Sequence, residues 1–196
     1  MAFIGTIDES EATGRVAETY EYVREALGYI PDYAKVFMAR PDVWEAWRSL
    51  IGAVVADMDR RRYELATLAA AQELRSSYCS LAHGKILRDR FMSADELQTV
   101  VRDRENAGLD EVDVAVMDLA EKVAADAYSV TQADIDRLRD LGLDDEEIAE
   151  VVYAAAARSF FSKVLDGLGA QPDAVYRELE PELQDVLTVG RPIAES

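Results

Sequence analysis

Tyr63-Glu64-Leu65-Ala66-Thr67-Leu68-Ala69-Ala70-Ala71-Gln72-Glu73-Leu74-Arg75-Ser76-Ser77-Tyr78-Cys79-Ser80-Leu81-Ala82-His83-Gly84 is the stretch on which both fold and chemistry turn. Its first half is rich in Ala, Leu, Glu and Gln, the residues that lose least on entering a helix. Asp59, just upstream, is a fair N-cap for a helix from Arg60 to about Leu74. A second helix is expected from about Tyr78 to Arg90. Its stripe Cys79, Ala82, His83, Ile86 follows the helical period. Cys79 and His83, four residues apart, therefore share a face, and His83 turns inward.

Helical signals continue on both sides. Toward the amino terminus, a helix is expected from about Glu9 to Leu27, stopped by Gly28. Pro31 sits where a first turn accepts it, and a short helix runs to about Ala39. Pro41 opens another, through Trp44 and Trp47 to about Ala56. Toward the carboxyl terminus, Ser93-Ala94-Asp95-Glu96 has capping-box spacing. Leu109 to about Ala127 carries Val112, Val116, Leu119 and Val123 at helical spacing. Thr131 caps a short helix that ends at Gly142. Asp144-Asp145-Glu146-Glu147 then places negative charge at the start of a long helix to about Leu168. That helix is apolar nearly all round, as a central core helix or a subunit interface requires. Strand-like alternation and hairpin turns are absent. The expectation is an all-α helical bundle: one domain over residues 1–170, with its motif core at 60–90. Residues 171–196, punctuated by Pro172, Pro181 and Pro192, read as an arm with one or two short helices, oligomer-contacting or partly disordered.

Composition excludes whole classes of function. Over 196 residues, 21 Lys and Arg face 39 Asp and Glu, a net charge of −18. Such a surface repels nucleic acid and anionic membranes. No run of about 18 apolar residues suggests a membrane span. The opening Met1-Ala2-Phe3-Ile4-Gly5 lacks the basic-then-apolar pattern of a signal peptide, so a cytoplasmic location is expected. One Cys and one His are too few for a disulfide framework or a structural zinc site. No Glu-x-x-His pair supports a di-iron centre, and no glycine-rich phosphate loop occurs. No metal and no cofactor are expected. Trp44 and Trp47 read as core or interface anchors, and Arg60-Arg61-Arg62 as a solvated helix start that could hold an anion near the site.

The only Cys and the only His in the chain are the pair on one face, Cys79 and His83. A thiolate is the nucleophilic form of cysteine, and a neighbouring imidazole can take its proton. Cys79 also falls in the first turn of its helix, where the dipole favours negative charge. Such a thiolate attacks the O–O bond of a peroxide and becomes a sulfenic acid. Against this stands the plain reading: a lone buried Cys behaves as a small hydrophobe, and a lone His on an apolar face as a core residue. Glu64 lines up with Leu68 and Ala71, so its carboxylate must be paired or hydrogen-bonded, whether as a relay or as a structural ion pair. Tyr78 reads as a packing residue, and Ser76 as a hydroxyl cap for the following helix.

The stretch resembles the core of the alkyl hydroperoxidase D / carboxymuconolactone decarboxylase family. The peroxidase branch of that family carries a Glu followed, twelve residues on, by Cys-x-x-Cys-x-x-x-His; here Glu64 precedes Ser76-x-x-Cys79-x-x-x-His83 at that spacing. Ala12-Thr13-Gly14 with Tyr20, the turn Gly28-Tyr29-Ile30-Pro31, and Thr131 to Leu168 extend the likeness over most of the chain. The resemblance implies that Cys79 is the peroxidatic thiol, with His83 and Glu64 as its proton relay and Tyr78 and Ser76 as supporting positions. Ser76 stands where the family has its resolving cysteine, so no internal disulfide can close the cycle. The implied activity is that of an antioxidant, peroxiredoxin-type hydroperoxide reductase: a hydroperoxide substrate, an external thiol reductant and a homo-oligomer. The alternatives are an oligomeric member that has lost activity, and a carboxymuconolactone decarboxylase-like lyase in which His83 and Glu64 work without the thiol.

Overall fold

The structure, a computed structural model, describes residues 2–195. Met1 and Ser196, the ends of the amino-terminal and arm readings, lie outside the described residues. Among the described residues there are ten α-helices, four short 3-10 turns and no strand, so the chain is all-α, as its sequence implies. The helices are α1 (Arg15–Leu27), α2 (Asp32–Phe37), α3 (Pro41–Val54), α4 (Arg60–Glu73), α5 (Ser77–Arg90), α6 (Ala94–Arg102), α7 (Glu111–Asp126), α8 (Gln132–Asp140), α9 (Asp145–Leu168) and α10 (Pro181–Leu187).

Most helix ends obey the capping signals. The Asp59 side chain accepts from Arg62 N, and Ser93, Thr131 and Asp144 each form a complete capping box. Gly28 ends α1 in the left-handed conformation. The first helix is the exception. It begins at Arg15, not Glu9, because Glu9–Glu11 is a 3-10 turn and Gly14 takes a positive φ of 55° as the N-cap of α1. Ser76 also departs from expectation. It occupies the N-cap position of α5, but its hydroxyl makes no capping bond.

α4 is the hub. Every residue from Tyr63 to Ala71 is buried, and α4 packs against α5, α7 and α9. It hands the chain to α5 through a Schellman turn: Ser76 N donates to Ala71 O at 2.9 Å and Arg75 N to Gln72 O at 3.0 Å. Arg75 takes the left-handed conformation, φ 55°, that glycine usually fills. This turn sets Glu64 of α4 opposite His83 of α5.

Residues 171–195 lie along α5 and α6, burying Tyr176, Leu179, Leu183, Leu187 and Ile193. Two glycines permit the approach. A Cβ on Gly84 would sit 2.6 Å from Leu187 of α10, and one on Gly190 would sit 2.1 Å from the Arg75 carbonyl oxygen. No described helix is long and apolar enough to cross a membrane.

Candidate active site

The hairpin α4–α5 sets Glu64 against His83, and Cys79 lies one helical turn before His83 on α5. All three are buried: Glu64 is 0% exposed, Cys79 1% and His83 7%. His83 Nδ1 lies 2.5 Å from Glu64 Oε2. The other carboxylate oxygen, Oε1, pairs with Arg60 Nη2 at 2.8 Å.

Burial alone would push the Glu64 carboxyl up. The His83 hydrogen bond, then the charges of His83, Arg60 and Arg158, outweigh it and hold Glu64 below the ordinary carboxylate range. For His83, burial comes first and the Arg158 charge second; together they overcome the Glu64 bond and depress the imidazole. The favoured state is therefore an ionised Glu64 accepting from Nδ1–H of a neutral His83. That tautomer leaves Nε2 with its lone pair, ready to take a proton.

Cys79 sits in the first turn of α5, as expected. Its polar partner is a residue that the sequence reading passed over. Arg158, from the middle of α9, donates from Nη1 to Cys79 Sγ at 3.5 Å and from Nη2 to Tyr63 Oη at 3.3 Å. Arg158 is only 5% exposed. Desolvation works against its charge, but the proximity of Cys79 and Tyr63 raises its already high pKa further. Tyr63 in turn stands edge-on to His83, with ring centroids 5.9 Å apart. A signal for Arg158 existed: it is the only charged residue between Glu150 and Lys163, in an otherwise apolar helix. A charge in that setting requires a buried partner.

The supporting positions lie elsewhere. Tyr78 turns away from the thiol, and its hydroxyl donates to Asp173 while accepting from Tyr33 N at 3.4 Å. Ser76 is completely buried and its hydroxyl has no hydrogen-bond partner of normal geometry. The three arginines at the start of α4 are not a free solvated run. Arg60 pairs with Glu64, Arg61 with Asp113 and Arg62 with Glu147. Trp44 and Trp47 are both buried, around a cluster of rings that includes Tyr33, Phe37 and Phe161. Among the described residues no group of His, Cys, Asp and Glu could hold a metal ion.

Comparison with known proteins bears on the family and the fold. Residues 41–122, which contain α4 and α5, match the model of the carboxymuconolactone decarboxylase family. The fold is shared with the alkylhydroperoxidase AhpD core of a peroxidase-related protein from Ralstonia eutropha JMP134 (TM-score 0.80, 20% identity, covering 89% of this chain and 94% of that one). A peroxidase-related protein from Silicibacter sp. TM1040 is similar at TM-score 0.76 and 18% identity, covering 90% and 91%. The debrominase Bmp8, in a cysteine-to-alanine variant complexed with 2,3,4-tribromopyrrole, is similar at TM-score 0.75 and 14% identity, covering 92% and 95%. No curated protein matches the chain in sequence.

Proposed function

We propose that this chain, which belongs to the alkyl hydroperoxidase D / carboxymuconolactone decarboxylase family, reduces hydroperoxides through the single thiol of Cys79. The observation that carries the reading is the buried dyad on the helix that bears the thiol: His83 Nδ1 lies 2.5 Å from Glu64, and His83 follows Cys79 by one helical turn. A neutral imidazole held by a carboxylate is a general base. His83 takes the thiol proton, and the thiolate attacks the outer oxygen of the hydroperoxide. The O–O bond breaks, Cys79 becomes a sulfenic acid, and the leaving alkoxide recovers the proton as an alcohol. With Ser76 in place of a resolving thiol, two equivalents of an external thiol restore the site. The first forms a mixed disulfide and releases water; the second releases Cys79 and leaves as the external disulfide. Cys79 is 1% exposed, so substrate reaches it only when the site opens.

The test is the intact mass of wild type, Cys79→Ser and His83→Ala after one equivalent of an organic hydroperoxide, with a sulfenic-acid trap present. Wild type should take up one trap molecule. Cys79→Ser should take up none, and His83→Ala should react more slowly by about a hundredfold, the usual contribution of a general base. Hydroperoxide consumed by Cys79→Ser at the wild-type rate would falsify the reading. A reaction that needs His83 but not Cys79 would instead mark acid–base work by the dyad alone.

A further inference from the structure

Arg158 presents an electrostatic problem that the dyad does not solve. Its guanidinium is buried, and among the described residues it forms no ion pair with a carboxylate. Glu64 is the carboxylate whose charge it feels, but both Glu64 oxygens are engaged, one by His83 and the other by Arg60. The polar atoms that Arg158 touches are Cys79 Sγ and Tyr63 Oη, and its Nε is buried with no partner. The ring of Phe161, 5.4 Å from the guanidinium carbon, adds only a cation–π contact. A guanidinium stays protonated under all ordinary conditions, and a buried, unpaired one is costly. Of its two polar contacts, the thiol is the one that ionises more readily.

We infer that Arg158 is a catalytic residue: it is the counter-charge of the Cys79 thiolate, and its unfilled Nε–H receives the oxygen that the sulfur gains. This deepens the hydroperoxide-reductase reading and rests on Cys79 as the reacting atom. The division of labour follows. His83 and Glu64 handle the proton, while Arg158 holds the negative charge on sulfur before attack and donates to the sulfenic-acid oxygen after it. Nη1 already contacts Sγ, so no rearrangement of the arginine is needed to form the ion pair.

The experiment reads the thiolate directly. Its ultraviolet absorbance at neutral pH is taken as the difference between each protein and the same protein with Cys79→Ser, for wild type, Arg158→Met and Arg158→Lys. Wild type should show the thiolate band, Arg158→Met should lose it by about tenfold, and Arg158→Lys, which keeps the charge, should retain most of it. Arg158→Gln replaces Arg158→Met should the latter fail to fold by near-ultraviolet circular dichroism. A folded, charge-free variant with the wild-type band would overturn the inference, as would a wild type with no thiolate band. The sulfenic-acid trap separates this from the parent reading. A band that depends on Arg158 in a protein whose Cys79 no hydroperoxide oxidises keeps the ion pair and discards the reductase. Oxidation equally fast in wild type and Arg158→Met keeps the reductase and discards Arg158.

Discussion

Tyr78 and Cys79 are neighbours in the first turn of α5, yet they face two buried polar clusters of opposite character. The cluster on the Cys79 side contains one carboxylate, Glu64, and two cations that act on it, Arg60 and Arg158. The cluster on the Tyr78 side is built around Asp173, and no cation is among the leading influences on that carboxyl. Asp173 accepts from Tyr78, from Tyr29 at 3.3 Å and from Asp32 N at 2.9 Å. Burial raises the Asp173 carboxyl, and the nearby Asp32 charge adds to that against the hydrogen bonds from Tyr78, Asp32 N and Tyr29. Burial is the leading influence on both carboxyls, but Glu64 ends below its ordinary range and Asp173 above. Hydrogen bonds and local charge, not burial alone, decide in which direction an acid inside the fold is shifted. The Glu64 side is a site prepared for charge. The Asp173 side is a latch, tying the carboxyl-terminal arm to the start of α2 and to α5.

Removing the charge balance on the Glu64 side should have the largest effect. Glu64→Leu strips the carboxylate from His83 and from the two arginines, and breaking a buried pair from one side costs about 3–5 kcal/mol. Urea denaturation should show that loss. A cost below about 1 kcal/mol would mean that the pair contributes no more than an exposed one, and the contrast between the clusters would collapse.

The latch should give a smaller loss. Tyr78→Phe deletes one hydrogen bond to a partly buried acid, which costs about 2 kcal/mol in the same denaturation experiment. The loss should largely disappear in an Asp173→Asn, Tyr78→Phe double-mutant cycle, because the two groups contact one another. Full additivity in that cycle would show that the Tyr78 hydroxyl is stabilised by something other than Asp173.

The contrast also marks where sequence reading succeeds. The helical class, the break after Leu74 and the inward turn of His83 all follow from local pattern: period, caps and the i, i+4 rule. Glu64 could be named because the family resemblance places a Glu twelve residues before the Ser76-x-x-Cys79-x-x-x-His83 run; its own pattern implied only that the carboxylate must be paired. Arg158 and Asp173 could not be placed that way. Arg158 is 79 residues from Cys79 and Asp173 is 95 from Tyr78, and nothing in the pattern near either residue specifies which helix it will meet. The misplaced start of α1 has a local cause that the composition hides: Glu9 and Glu11 suit a helix, but the positive φ of Gly14 ends that option. The Ser76 cap failed for a related reason. Ser76 has the right residue type in the right position, but the Schellman turn commits its backbone, and the hydroxyl makes no capping bond.

The smallest expected effect is the sharpest discriminator, because the two clusters should respond to pH with opposite sign. The Asp173 carboxyl is raised in the fold above its ordinary 3.8, so the folded chain binds its proton more tightly than the unfolded chain does. Its contribution to stability is full below that ordinary value and is lost as pH rises through the folded value. Glu64 is lowered from 4.5, so its contribution is full above 4.5 and is lost as pH falls through the folded value. His83, lowered from 6.5, works in the same direction as Glu64, since the fold favours its neutral form. The stability of wild type relative to Asp173→Asn should therefore fall as pH is raised from below 3.8 toward neutrality. Relative to Glu64→Gln it should rise over an upward titration through the acid range. Denaturation midpoints across that range, taken for the three proteins in one buffer series, give both differences together. Slopes of the same sign would mean that depth alone governs these acids, and that the arginines on the Cys79 side do not set the charge of the site.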